Sequence, residues 1–410
     1  MKILDTLFIL SILTLSLLSC NSTSQEGANG QQQALEIPKL LDRHPALRQD
    51  KEWEKVQNYY VENRQKLERD PSNGEARLAL AQLYINEARI TGEHGHYYPA
   101  ALEVLNGIEL EKADDDVRFR ALASKAGVQL SLHDFAAGLE TAQQAVAINP
   151  YNAQIYGALV DANVELGRYE EAVAMADKMV GIRPDLRSYA RVSYLREIYG
   201  QVEGAIEAMK LAVSAGYPSY EETAWARLTL GKLYENYGSL EEAERQYQII
   251  LAERPDYPFA IGALADIAIE RKDYPEAERL LKQAAGIIPE FSFYESLASI
   301  YKKTGRQEDF ERTMAELWVM LKDDTESGHN MDLEYAKLYS SLMYDQDKAL
   351  EYAKKEYQKR PDNIDVNRVM ATICQRRGDS AEAARYFQAA TRTNSRHPGL
   401  EELRQQLASK

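Results

Sequence analysis

Cysteine is scarce in this chain, whose 410 residues include only Cys20 and Cys374. Two cysteines do not make a disulfide framework, and Cys374 lies in an apolar stretch of a predicted helix, where we interpret it as a small buried hydrophobe. Basic residues are also outnumbered, 49 to 64 acidic ones, for a net charge of −15. That balance repels a phosphate backbone, and no basic stripe overcomes it, so we expect no nucleic-acid partner.

Catalytic motifs are missing as well. The sequence contains no G-x-S-x-G, no H-E-x-x-H, no phosphate-binding loop and no G-x-G-x-x-G. Acidic pairs such as Glu170-Glu171 and Glu241-Glu242 precede apolar helical patterns, where they complement a helix dipole rather than act as general acids. We therefore predict a protein that is not an enzyme and that needs no cofactor.

Helix-forming residues dominate instead. Hydrophobic types make up 45% of the chain, tyrosine is abundant at 26 residues, and alanine, leucine, glutamate, lysine and glutamine recur throughout. This composition predicts an all-α protein.

The first twenty residues, MKILDTLFILSILTLSLLSC, place Lys2 before an apolar run from Leu7 to Leu18. The run is too short to span a bilayer comfortably, so we interpret residues 1–19 as a signal peptide. Its end resembles a bacterial lipobox. The resemblance implies cleavage before Cys20 and acylation of that cysteine by palmitate-like chains, which anchor a protein stably in a membrane. The alternative is an ordinary secretory peptide.

Asn21 follows the predicted lipidation site, in place of the aspartate that retains enteric lipoproteins in the inner membrane. The resemblance thus implies the outer membrane of the cell envelope, on its periplasmic or its outer face. The next residues are polar and rich in Gly, Gln and Ser, so residues 20–50 are predicted to be a lipidated, flexible tether. Roughly twenty such residues have a reach of about 25 Å.

Self-similarity with a period of about 34 residues organises the remaining sequence. Pro150 and Pro184 are one such period apart, as are Pro255 and Pro289, and small residues recur at fixed offsets between them. The clearest unit contains Gly231 and Ala243, where two helices would approach closely. In the same unit, Tyr247 would fill the neighbouring space, and Gly238 would turn the chain.

This pattern resembles the tetratricopeptide repeat family. The resemblance covers residues 51–410 and implies a right-handed superhelical solenoid of about nine helix hairpins. The apolar stripe of Leu400, Leu403 and Leu407 predicts a C-terminal capping helix.

Residues 88–102, ARITGEHGHYYPAAL, interrupt this spacing. Ala81 and Ala101 are 20 positions apart where the repeat requires 12, so we predict an eight-residue insertion that forms a solvated loop. Glu93, His94 and His96 could bind a divalent metal there, because imidazole and carboxylate suit zinc. Three ligands on a glycine-containing loop make a poor metal site, and the loop interpretation is preferred.

The family resemblance implies a concave groove that binds a protein or peptide partner. Aromatic residues beside basic ones make plausible binding positions. The predicted groove residues are Tyr194, Trp225, Leu228, Lys232, Phe259, Asp266, Lys302 and Arg368.

Our interpretation is a lipid-anchored, non-catalytic scaffold that binds an envelope protein in this groove. Two alternatives stay open: a metal-binding or catalytic accessory protein that uses His94 and His96, and a carrier of glycans or solutes.

Overall fold

The computed structural model describes residues 36–48 and 50–408. The predicted signal peptide, the lipidation site at Cys20 and most of the predicted tether lie outside these residues. No helix within the described ranges is long and apolar enough to cross a membrane.

Twenty α-helices follow one another along the described chain, and nine of the pairs they form are antiparallel hairpins. A single helix, α1 (Asp50–Arg69), precedes the hairpins, and another, α20 (Pro398–Ala408), follows them. The hairpins are α2 (Gly74–Thr91) with α3 (His94–Asn106), α4 (Asp115–Ser131) with α5 (Phe135–Ile148), α6 (Ala153–Glu165) with α7 (Tyr169–Ile182), α8 (Leu186–Ile198) with α9 (Val202–Ala215), α10 (Glu221–Tyr237) with α11 (Leu240–Glu253), α12 (Pro258–Glu270) with α13 (Tyr274–Ala285), α14 (Phe291–Lys303) with α15 (Gln307–Glu326), α16 (Asp332–Leu338) with α17 (Gln346–Lys359), and α18 (Ile364–Arg377) with α19 (Ser380–Ala390). A 3₁₀ helix spans Pro45–Leu47 and a π-helix spans Tyr339–Met343.

Local chemistry explains where these helices begin and end. The side chains of Asn73, Asp114 and Asn363 accept hydrogen bonds from backbone N–H groups in the first turns of α2, α4 and α18. Gly238 ends α10 with a φ of 104°, a conformation that costs glycine least. The turn predicted at this residue is confirmed.

The packing within this hairpin is also as predicted. Gly231 is buried, and a Cβ atom added to it would lie 2.2 Å from a ring carbon of Tyr247. Tyr247 itself is fully buried. The close approach of α10 and α11 therefore depends on glycine at position 231. The all-α solenoid of nine hairpins is confirmed, and so is the capping helix, because α20 buries Leu400 and Leu403.

The predicted tether ends earlier than residue 50. Arg43 is buried and its guanidinium binds both carboxylate oxygens of Glu87, at 2.8 and 2.6 Å. Leu47 is buried in the core beside α12 and α13. These two contacts join residues 37–48 to the folded unit. Detaching them would leave Arg43 or Glu87 without its partner, and an unpaired buried charge is strongly destabilising.

The solvated loop predicted within residues 88–102 is wrong. The eight additional residues lengthen the two helices, so that only Gly92 and Glu93 separate α2 from α3. Tyr97 is fully buried, and its hydroxyl accepts a hydrogen bond from the backbone N–H of Leu41. The inserted residues therefore provide the surface on which residues 37–48 pack.

The solenoid also makes contact with itself over a long sequence distance. The N–H of Asn330 donates to the carbonyl of Leu132 at 3.0 Å, and the side chain of Asn363 donates to the carbonyl of Glu165 at 3.0 Å. We call this contact, between residues 132–203 and residues 328–396, the closure contact. It brings first helices from widely separated hairpins of the solenoid opposite each other.

Candidate functional site

The first helices of successive hairpins form the inner surface of the solenoid, and the closure contact encloses part of it. A cavity of about 600 Å³ lies there, lined by residues of α4, α6, α8, α16, α17 and α18. Ala123 and Ala158 have small side chains and Gly127 has none, so this space stays open. A volume of this size is typical of sites that hold a small ligand or a few residues of a peptide.

Ion pairs line the enclosed cavity. Arg191 of α8 binds the carboxylate of Asp161 on α6 through two nitrogens, at 2.9 and 2.6 Å. Glu165 pairs with Arg360, which follows α17, across the closure contact. Burial raises the pKa of Glu165, and the charge of Arg360 opposes that shift. The charges of this cavity largely neutralise one another.

Two of the predicted groove residues meet at a smaller cavity of about 270 Å³. Tyr194 of α8 and Arg368 of α18 both line it, together with Glu197 and Leu400. Arg368 also pairs with Asp365 at 3.0 Å. The closure contact brings Tyr194 and Arg368 together, although 174 positions separate them in the sequence.

Four other predicted groove residues lie on neighbouring first helices. Lys232 of α10 pairs with Asp266 of α12 at 2.6 Å, so these two residues bind each other in the absence of a partner. Leu228 and Phe259 are partly buried and pack against the hydrophobic core between α10 and α12. They contribute chiefly to the stacking of the hairpins.

Trp225 and Lys302 differ in their surroundings. Trp225 is 41% exposed on α10, as is Tyr194 on α8. Lys302 points to the end of the π-helix, where its ammonium binds the carbonyl of Leu342 and lies 3.5 Å from the ring centroid of Tyr344. Trp225 and Tyr194 are thus the predicted residues with the most aromatic surface free for a partner.

A row of carboxylates accompanies these aromatic residues. Glu197, Glu235, Asp266 and Glu295 lie one on each of the consecutive first helices α8, α10, α12 and α14. Burial raises the pKa of Glu197, Glu235 and Glu295. Over the described ranges, Lys232 is the one basic side chain that pairs with members of this row. Glu197 and Glu295 are thus the members of the row without an ion pair among the described residues, although the charge of Lys337 opposes the rise in the pKa of Glu295.

The three candidate metal ligands of the insertion do not converge. Glu93 is exposed, whereas the Nε2 atom of His96 lies 2.8 Å from the carbonyl oxygen of Lys39. His94 stacks on Tyr98, with 5.3 Å between the ring centroids. Within residues 36–48 and 50–408, no group of three or more His, Cys, Asp or Glu side chains is placed to hold a metal ion.

Several residues of the enclosed cavity were not predicted from the sequence. Asp161, Arg191, Glu165 and Arg360 line the larger cavity, yet Glu165 and Arg360 are 195 positions apart. The repeat period describes contacts between neighbouring hairpins only, so it carries no signal for such a pair. Asp161 could have been selected, because it precedes Tyr194 by 33 positions and so holds the equivalent place in its own first helix.

Comparisons with known proteins agree with this architecture. A model described as tetratricopeptide repeat matches residues 129–196, and a second with the same description matches residues 228–290. No curated protein matches the chain.

Three solved structures are similar to parts of this chain. The Cut9–Hcn1 hetero-tetramer of the APC/C is 13% identical, with 87% of this chain and 66% of that chain covered and a TM-score of 0.50. A thermophilic TPR protein of Thermus thermophilus is 23% identical over 47% of this chain and 98% of that chain, with a TM-score of 0.40. Pseudomonas aeruginosa PilF is 14% identical over 58% of this chain and 99% of that chain, with a TM-score of 0.41. Both matched segments lie in the nine-hairpin solenoid, so this chain contains tetratricopeptide repeats.

Proposed function

We propose that this protein is a non-catalytic scaffold, anchored by lipid at Cys20 in the bacterial outer membrane, that binds a basic segment of another envelope protein. The observation that carries the binding proposal is the inner surface of α8 to α14. It combines the exposed rings of Tyr194 and Trp225 with one carboxylate on each first helix. The lipobox resemblance at Leu17 to Cys20 supports the anchor and the location.

The electrostatics of the row favour a cationic partner. Glu197 and Glu295 make no ion pair among the described residues, and burial raises the pKa of each. A lysine or arginine of a partner would relieve that penalty, because a nearby positive charge stabilises the carboxylate. The net charge of −15 would attract such a segment at long range and would speed its association.

The spacing of the row fits an extended chain. Adjacent packed helices lie about 8–10 Å apart, and an extended peptide advances about 3.3 Å per residue. One carboxylate on each first helix therefore matches a basic residue at about every third position of the partner. The exposed rings of Tyr194 and Trp225 would supply apolar contacts, because a few side chains carry most of the binding energy of an interface.

Site-specific crosslinking in intact cells tests the binding proposal. A photoreactive amino acid at position 225 should capture one envelope protein, which mass spectrometry then identifies. The same amino acid at Val319, which is exposed on the second helix α15, is the matched control and should not capture it. The double substitution Glu197→Lys and Glu295→Lys should reduce the product at least about tenfold, since it places like charges opposite a basic segment.

Two results would contradict this proposal. One is equal capture from positions 225 and 319, and the other is capture that the charge reversal leaves unchanged. The anchor has a separate test: labelled palmitate should be incorporated into the wild-type protein and not into Cys20→Ala, which should leave the membrane fraction. Incorporation that persists in Cys20→Ala would refute lipidation at this residue.

A further inference from the structure

Three histidines from separate parts of the sequence meet at the edge of the closure contact. His94 begins α3, His133 lies between α4 and α5, and His329 lies between α15 and α16. The ring centroid of His329 is 6.2 Å from that of His94 and 6.5 Å from that of His133. Half of the chain's six histidines are therefore gathered at one contact.

Hydrogen bonds tie this cluster to the closure contact. The Nδ1 atom of His133 lies 3.0 Å from the carbonyl oxygen of Asn330, whose N–H donates to Leu132. A Cβ atom added to Gly95 would lie 2.8 Å from the hydroxyl oxygen of Ser327. Residues 327–330 are thus seated directly on α3 and on the corner between α4 and α5.

The surroundings of His329 suit a neutral ring. His329 is 7% exposed, and its Nδ1 atom is buried without a hydrogen-bond partner within the described ranges. Tyr98 lies against it, with 5.8 Å between ring centroids, and Phe135 stacks on His133 at 5.6 Å. A positive charge on His329 would therefore face aromatic rings and two other imidazoles, with no carboxylate of the described residues in contact.

The carboxylates around the cluster do not supply the missing counter-ion. Asp324 of α15 and Glu165 of α6 interact with His133, and Glu165 is already paired with Arg360. Glu334 of α16 interacts with Asp324. The carboxylate of Glu356 on α17 is also paired, again with Arg360. These acidic groups therefore reach at most one of the three rings.

The rings of His94 and His329 have only weaker polar neighbours. The backbone carbonyl of Ala88 interacts with His94 and that of Asp324 with His329, and each offers a dipole instead of a charge. Arg89 of α2 interacts with Tyr98 and adds positive charge to the same side. A protonated His94 or His329 would therefore be poorly stabilised where it lies.

We propose that His94, His133 and His329 form a pH-sensitive latch, which holds residues 328–331 on α3 and α4–α5 at neutral pH and releases them in mild acid. The arrangement fits a neutral His329, because its buried ring lies between two other imidazoles. Protonation of His329 places a buried cation between two other imidazoles, and release into water removes that penalty.

The direction of the pH dependence follows from linkage. Burial, with the charges of His94 and His133, lowers the pKa of His329 to about 4, and burial with His133 lowers that of His94. A released His329 would have the ordinary pKa of about 6.5. The latch is therefore fully stable above about pH 6.5 and weakens as the pH falls towards 4. His329 alone should raise the ratio of open to closed latch about 30-fold between about pH 7.5 and about pH 5.

Release of the latch would change access to the enclosed cavity. His133 and Asn330 both line that cavity, so loss of their contact opens its wall. If the inner surface binds a partner, which is the proposed function, acid would alter how the partner enters or leaves. The latch itself does not depend on that function, because it is a contact within one chain.

Hydrogen exchange of the full-length protein without any partner tests the latch. Peptides that cover residues 328–331 and 92–98 should be protected at about pH 7.5 and should lose protection about 30-fold at about pH 5, after correction for the intrinsic exchange rate. Peptides of α10 should keep their protection at both pH values. His329→Gln, which cannot gain a proton, should stay protected in acid.

His44→Gln is the matched control, because His44 is exposed and lies outside the cluster. It should show the same pH dependence as the wild type.

The proposal is overturned if wild type and His329→Gln lose protection equally, or if neither loses it. Should His329→Gln be unprotected already at neutral pH, an NMR titration of the wild-type histidine rings decides. A midpoint for His329 well below the ordinary value supports the latch, and an ordinary midpoint refutes it. Because no partner is present, these outcomes are distinct from failure of the proposed function.

Discussion

The consecutive hairpins α10 to α13 and the closure contact hold the same solenoid together by different means. Between consecutive hairpins, partners are about one repeat apart in the sequence, as Lys232 and Asp266 illustrate at 34 positions. Across the closure contact, Arg360 and Glu165 are 195 positions apart, and the backbones themselves approach closely at Gly167 and Asp362. The first kind of contact is repeated along the chain, and the second occurs where two distant hairpins happen to meet.

The two kinds of contact differ in how they respond to the surroundings of the protein. Stacked hairpins bury residues such as Tyr247 and Ala263, whose packing does not depend on pH near neutrality. The closure contact instead uses buried charge and histidine, which are sensitive to ionisation. The closure contact also borders the enclosed cavity of about 600 Å³, so the stability of this contact and access to the inner surface are coupled.

The largest effect is expected for Arg360→Met. Arg360 and Glu356 are both almost fully buried and paired, so the substitution leaves a buried carboxylate and should destabilise the closure contact by about 3 kcal/mol. Hydrogen exchange should show lost protection in residues 130–170 and 328–365, while α10 to α13 keep theirs. Adding Glu356→Gln removes the unpaired charge and should restore part of the protection. Loss of equal size in α10 to α13 would contradict the separation of the two regions.

Gly167→Ala should have a smaller but still local effect. Gly167 has a φ of 75°, and an added Cβ atom would lie 2.3 Å from the carbonyl carbon of Asp362. Gly305, with a φ of 71° and no atom within 4 Å of an added Cβ, is the matched control. Both substitutions cost about 1 kcal/mol for the backbone conformation, and Gly167→Ala should cost at least about another 1 kcal/mol through the clash.

Urea unfolding of the two alanine variants measures this difference. Hydrogen exchange then locates it, since only Gly167→Ala should expose the closure contact. Equal urea midpoints for the two variants would mean that the backbone of Asp362 moves away from the added methyl group without loss of stability. The closure contact would then be less tightly packed than the distances indicate.

The smallest effect is expected for Lys232→Met. Both side chains of the Lys232–Asp266 pair are more than one-third exposed, at 39% and 35%, and exposed pairs contribute about 0–1 kcal/mol. The unfolding midpoint should therefore change little, and the difference should decrease further in high salt. A destabilisation comparable to that of Arg360→Met would show that stacking between hairpins depends on ion pairs as strongly as the closure contact does.

Several details of the hairpins were predictable because they follow from neighbouring residues. Gly231 and Tyr247 share one hairpin, and Gly238 turns the chain between its helices, so a short-range pattern contains all the information. The eight residues inserted near His94 were misinterpreted, because an insertion rich in glycine and histidine is typical of a loop. The longer helices α2 and α3 are stabilised by contacts with residues 37–48. These residues cover Tyr97, and Arg43 pairs with Glu87.

The amino-acid sequence determined the repeat without further information, since a period of about 34 residues places small and large side chains where two helices must meet. It determined the acidic net charge and the lipobox-like segment as well. The folded solenoid was needed to show that Tyr194 meets Arg368, that Glu165 meets Arg360, and that three histidines share one contact. The physical reason is that small rotations between successive hairpins add up along the solenoid, and a periodic pattern does not encode their sum.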